Sequence, residues 1–184
     1  MFRALQIPVV ALALAIGLQT ASAQAPTLDV LMKETIQSMT VINDQKMPVL
    51  KDRAVVVTFF ASWCPPCRPE FGELNTLRQA FAEDDLSIIA INRFEGHFED
   101  KNGHRMKRFM AATQPAFAVL QPDTDGGHHG VFEEVSRIPT VYIYDRTGQP
   151  VYTFIHERGA TKMHATAAEI IPHVHEALSL ATQP

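Results

Sequence analysis

Cys64 and Cys67 are the only thiols among the 184 residues, and Pro65 and Pro66 stand between them. The run before the pair, Ala54-Val55-Val56-Val57-Thr58-Phe59-Phe60-Ala61, is short, β-branched and aromatic, as a strand buried on both faces is. With Cys64 at a cap and Pro65 at the first helical position that proline favours, the chain is expected to turn from that strand into a helix. A thiol at a helix N-terminus meets unpaired backbone N–H groups and the positive end of the macrodipole, and both favour the thiolate. Cys64 is therefore the expected nucleophile, and Cys67, one turn further in, the resolving thiol. A structural zinc site needs four ligands, and the sequence holds no second cysteine pair.

The elements that must position this pair follow in order. Ahead of it, Thr27 is the expected cap of a helix with Leu28, Leu31, Met32, Thr35 and Ile36 on one face, and Met39 to Ile42 the expected edge strand. After it, a helix is expected from Pro65 to Ala82 with Phe71, Leu74, Leu77 and Phe81 facing a sheet, kinked at Pro69 because proline there denies the Pro65 carbonyl its donor. Leu86 to Asn92 reads as a second buried strand, so strand, helix and strand form a parallel unit with the cysteines at a strand's carboxyl end. Residues 93–103 are a polar loop. A helix from Asn102 to Thr113, a strand from Phe117 to Leu120, a loop over 121–130 and a short helix around Val131 to Val135 come next. Thr140 to Tyr144 and Pro150 to His156 form a hairpin about the turn at Arg146-Thr147-Gly148-Gln149. A last helix from Thr161 to Leu180 turns Met163, Ala167, Ile170, Ile171, Val174 and Leu178 to the sheet, with a kink at Pro172.

Two blocks, Phe59-Phe60-Ala61-Ser62-Trp63-Cys64-Pro65-Pro66-Cys67-Arg68-Pro69-Glu70 and Arg137-Ile138-Pro139-Thr140-Val141-Tyr142-Ile143-Tyr144-Asp145-Arg146-Thr147-Gly148, resemble the thioredoxin superfamily. The resemblance is to its exported TlpA-like branch, which includes the ResA and DsbE reductases of cytochrome c maturation. It implies an α/β thioredoxin fold, a central mixed sheet flanked by helices, in one domain over residues 24–184. It also implies a redox-active Cys64–Cys67 disulfide with no further cofactor, and a cis Ile138–Pro139 bond at which Ile138 offers its N–H and C=O to an extended substrate. Trp63 and Phe60 are candidates for an apolar surface beside Cys64, or for packing alone. Glu70 is read either as holding the Cys67 proton during resolution or as a solvated glutamate complementing its helix dipole. Thr58 stands where thioredoxins carry a buried acid, so that route for a proton is missing here.

The direction of electron flow follows from Cys64. The Pro65-Pro66 pair adds no charge and removes a donor, so a thiol pKa near thioredoxin's roughly 7 and a reducing potential between about −270 and −200 mV are expected, far from the strongly oxidising extreme near −120 mV. The expected partners are disulfides of exported proteins, apocytochrome c first, and a membrane thiol donor of the CcdA or DsbD type. Three other readings stand beside this one. A dithiol oxidase or isomerase would use the same pair. A copper chaperone of the Sco type would join the thiols with His97, His104, His128 or His129 and Met106 or Met110, although that family separates its cysteines by three residues. A thiol peroxidase would need Thr or Ser where Ala61 stands.

Met1 to Ala23 reads as a signal peptide: Arg3 opens it, Ile7 to Leu18 is apolar, and Ala21-Ser22-Ala23 forms the cleavage site before Gln24. A dozen apolar residues rise only about 18 Å as a helix, short of the roughly 30 Å of a membrane's hydrocarbon, so cleavage is favoured over an anchor and a periplasmic location is expected. The net charge of −4 is spread without long runs of one sign, which gives nucleic acid and anionic lipid no footing as partners. A monomer is expected.

Overall fold

The computed structural model describes residues 25–122, 132 and 134–180. The segment read as a signal peptide, His128 and His129 lie outside them. Helix α1 spans Val30–Ser38, and its cap is Asp29, whose carboxylate accepts the Met32 N–H at 2.8 Å. Thr27 therefore does not cap it. A carboxylate suits the positive helix end, and the Leu28 N–H is drawn away to the Gly148 carbonyl at 2.8 Å. The stripe that α1 buries is Met32 and Ile36, continued from Leu28, whereas Leu31 is 65% exposed.

Strands β1 (Thr40–Val41), β2 (Ala54–Phe60), β3 (Leu86–Asn92), β4 (Ala118–Gln121), β5 (Thr140–Tyr144) and β6 (Pro150–Ile155) form one mixed sheet in the order β1-β4-β3-β2-β5-β6. The central pairs β2–β3 and β3–β4 are parallel, and β1–β4, β2–β5 and β5–β6 antiparallel. Every residue of β2 and β3 is buried, which is why both read as uninterrupted apolar runs rather than alternating ones. Alternation along β2 feeds two cores. Val56 and Phe60 pack with Phe71, Leu74 and Leu77 of α2 (Cys67–Ala80), Phe109 of α3 (His104–Thr113) and Ile170 and Val174 of α4 (Ala167–Ser179). Val55, Val57 and Phe59 pack on the other face with Met32 and Ile36 of α1 and with Tyr142 and Tyr144.

Beyond the cap of α1, four helix readings differ from the sequence. Helix α2 starts at Cys67, not Pro65, with Pro66 as its cap. This places Pro69 in the first turn, where an N–H has no intrahelical partner, and the Pro65 carbonyl is met by the Arg68 N–H at 3.4 Å, so the cause expected for a kink is absent. Helix α3 starts at His104 because Asn102 and Gly103 are left-handed, with φ of 60° and 65°. Phe132, with φ of 62°, is itself not helical, and Val131 and Glu133 of the short helix expected there lie outside the described residues. Helix α4 starts at Ala167, not Thr161; the Ala167 N–H is capped by the Glu73 carboxylate of α2 at 2.8 Å, and Met163 is 44% exposed. Through Pro172 the helix continues.

Candidate active site

Strand β2 ends at Phe60, and residues 61–66 turn the chain into α2 with the Cys64 N–H donating to the Ala61 carbonyl at 3.1 Å. Cys64 and Cys67 form a disulfide. Cys64 is 4% exposed and Cys67 fully buried, so an attacking sulfur reaches the pair through Cys64. Cys64 lies three residues ahead of the first helical residue rather than at the cap, still at the positive end of α2.

One turn into α2, Glu70 is fully buried, which removes the reading of a solvated glutamate. The Thr58 hydroxyl donates to its Oε1 at 2.5 Å, while Oε2 has no partner of normal hydrogen-bond geometry. Burial pushes the carboxyl up to about 8, against a smaller lowering by the Thr58 hydroxyl and the Ala165 amide. Cys67 and Glu70 are three residues apart on the buried side of one helix, so a nearly thiol-like acid stands one turn from the buried sulfur.

The turn before Cys64 is held from the β3–α3 connection. Both Ser62 donors go to Glu95: the N–H to Oε2 at 2.8 Å and the hydroxyl to Oε1. Arg105 joins them, with Nε 3.6 Å from Glu95 Oε1 and 3.2 Å from Ser62 Oγ. The Trp63 indole N–H donates to the Phe94 carbonyl at 2.9 Å, and its ring meets Phe98 edge-on at 5.1 Å and His97 at 6.0 Å. None of Ser62, Phe94, Glu95 and Arg105 was singled out by the sequence, in which residues 93–103 are only a polar loop. A pairing across 33 residues leaves no periodic trace. Phe60 is packing alone, buried against Phe71 and Phe109.

On the other side, the Ile138–Pro139 bond is cis. The Pro139 carbonyl accepts the His156 N–H at 3.0 Å, whereas the N–H and C=O of Ile138 have no hydrogen bond among the described residues. Trp63 and Ile138 line one open cleft of about 630 Å³, rimmed by Arg137, His156 and Arg158. The structure thus brings Cys64, Cys67 and Glu70 together at the start of α2 and sets Trp63 and Ile138 on a shared cleft. His97 is spent on Trp63 and Phe94, and His104 is exposed. No group of three or more His, Cys, Asp or Glu side chains among the described residues is placed to hold a metal.

The AhpC/TSA family model matches residues 22–152. The chain belongs to the AhpC/TSA family. Curated relatives of this AhpC/TSA chain include the thioredoxin-like protein YneN of Bacillus subtilis, 30% identical over 98 residues, which are 53% of this chain and 54% of the relative. The thiol-disulfide oxidoreductase ResA of Bacillus thuringiensis is 26% identical over 125 residues, 67% of this chain and 66% of ResA. The chain thus spans about half to two thirds of the length of the curated relatives it matches. Among solved structures, StoA of Bacillus subtilis superposes with a TM-score of 0.56 at 21% identity, covering 73% of this chain and 92% of StoA. This AhpC/TSA member therefore has the thioredoxin-like fold expected from its two motif blocks. Among the described residues no helix is long and apolar enough to cross a membrane.

Proposed function

We propose that the protein is an exported thiol–disulfide oxidoreductase that reduces disulfides of other exported proteins. One observation carries this: a solvent-reachable Cys64 is bonded to a buried Cys67, and Glu70, three residues further along α2, is a buried carboxyl. In the reduced protein the Cys64 thiolate attacks a substrate sulfur, the second substrate sulfur leaves as a thiolate, and a mixed disulfide forms. Cys67 gives its proton to the Glu70 carboxylate and attacks Cys64 Sγ, the remaining substrate sulfur leaves, and the Cys64–Cys67 bond closes. Two electrons pass to the substrate. An external dithiol reverses the sequence, and Glu70, protonated at neutral pH in the oxidised protein, returns its proton to the departing Cys67 thiolate.

Trp63, Ile138 and Pro139 hold the substrate, Ile138 by adding an extended segment to its unbonded N–H and C=O. Buried Ala61 offers no hydroxyl beside Cys64, which argues against peroxide chemistry. Cleavage after Ala23 releases the mature protein into the periplasm as a monomer without a further cofactor. There a membrane dithiol carrier of the CcdA or DsbD type keeps it reduced, and apocytochrome c is the first substrate class, as the TlpA-like motif blocks imply. The test is the reduction potential of the Cys64–Cys67 pair, equilibrated against thiol buffers. A value below about −200 mV supports the reductase, and a value near −120 mV would make the protein an oxidase instead. Cys64→Ser is expected to abolish activity and Cys67→Ser to accumulate mixed disulfides; full activity without Cys64 would end the proposal.

A further inference from the structure

The cleft that Trp63, the neighbour of Cys64 in the chain, shares with Ile138 has two guanidinium groups in its lining, Arg137 and Arg158. Among the described residues the lining also includes the imidazoles of His97 and His156 and no acidic side chain, although the chain as a whole carries −4. Arg137 is partly neutralised by its ion pair with Glu157. Arg158 is exposed and has no ion pair or hydrogen bond among the described residues. The rest of the lining is apolar at Trp63, Phe94 and Ile138 and small at Ser136 and Gly159, and the Ile138 backbone groups have no hydrogen bond among the described residues.

Resting on the thiol–disulfide reading above, we propose that this cleft selects disulfide segments carrying an acidic side chain within a residue or two of the reacting cysteine. A segment added along Ile138 runs past Arg137, its immediate neighbour in the chain, and past the Arg158 side of the same cleft. A strand sends alternate side chains to one face, so a carboxylate next to the cysteine in such a segment meets a guanidinium, while the neighbouring apolar side chain meets Trp63. Arg158 pays no existing partner to accept it. The net negative charge of the whole protein does not draw acidic partners from a distance, so the selection is short-range and falls with salt.

The experiment uses the reduced mature protein and three cyclic disulfide peptides of one length, with Glu, Gln or Lys flanking the cysteines, and neutral hydroxyethyl disulfide as a chemistry control. The Glu peptide is expected to be reduced about fivefold faster than the Lys peptide at low salt, with Gln between, as two exposed charge contacts support. Arg158→Glu is expected to level or reverse that ratio, and Lys107→Glu, an equal charge change on the exposed face of α3, to leave it unchanged. Equal rates for the three peptides, or a ratio that Lys107→Glu moves as far as Arg158→Glu does, overturns the selectivity while the reductase stands. Failure to reduce hydroxyethyl disulfide overturns the reductase, and the selectivity with it.

Discussion

The Thr58 hydroxyl in the middle of β2 donates to Glu70 Oε1 in the first turn of α2 at 2.5 Å. The strand position that holds a buried acid in the resemblance to thioredoxins holds a hydroxyl here, and a buried acid meets it from the helix. Thr58 orients the Glu70 carboxyl through this bond. Its bond favours the charged carboxylate, and burial outweighs it.

That balance makes stability pH-dependent. The folded protein keeps the Glu70 proton up to about pH 8, whereas the unfolded chain releases it near the ordinary 4.5. The folded state therefore binds the extra proton in between, so its stability is fully present below the lower value and is lost as pH rises through the higher. The loss is at most about 5 kcal/mol. Urea denaturation of the oxidised protein from pH 4 to 9 is expected to show this decline, with Glu70→Gln markedly flatter; parallel curves would mean that Glu70 titrates alike in both states.

Proton transfer gives a kinetic counterpart. Glu70→Gln is expected to slow release of a trapped substrate thiol by roughly a hundredfold, the low end for a lost general base. Thr58→Val removes a donor that lowers the Glu70 pKa, so the pH profile of release is expected to move upward with a smaller rate loss. Stopped-flow reduction across pH reads both, and an unshifted Thr58→Val profile would leave that hydroxyl a packing group.

Glu95 holds both donors of Ser62 next to the only tryptophan. Glu95→Ala strands the Ser62 N–H and releases Arg105, at a cost of about 1–3 kcal/mol. Trp63 fluorescence reports it directly: the spectrum of the oxidised variant is expected to shift from the parent's, and the melting temperature to fall. An unchanged spectrum would show that Trp63 is held by Phe94 and Phe98 alone.

Gly148 closes the β5–β6 turn with φ of 88°, and a Cβ there would lie 2.3 Å from the Leu28 carbonyl oxygen. Gly148→Ala is expected to destabilise the fold by about 2–3 kcal/mol, both by left-handed strain and by breaking the dock of the α1 segment. Gly72, inside α2 with nothing near its missing Cβ, is the contrast: Gly72→Ala is expected to gain about 0.5–1 kcal/mol. Chemical denaturation distinguishes them, and equal effects would disprove the clash.

What the sequence determined by itself was local chemistry and period. The two-cysteine turn, the unbroken apolar runs of β2 and β3 and the proline ahead of β5 each follow from neighbouring residue types, because a strand buried on both faces has no polar alternation to hide and proline restricts its own backbone. The boundaries that went astray are those set at a distance. Ala167 begins α4 because Glu73 of another helix caps it, and Asp29 rather than Thr27 starts α1 where Leu28 is bound to Gly148. Leu31 and Met163 have the right spacing for a buried stripe and lie outside it, since periodicity fixes which residues share a face but not where the neighbouring layer ends. The choice for Glu70 between solvent and core was likewise undecidable in one dimension. Only the packing of α2 over β2 removes water from its carboxyl and sets Thr58 against it, and that loss of water, not the residue's identity, turns an ordinary glutamate into an acid near 8.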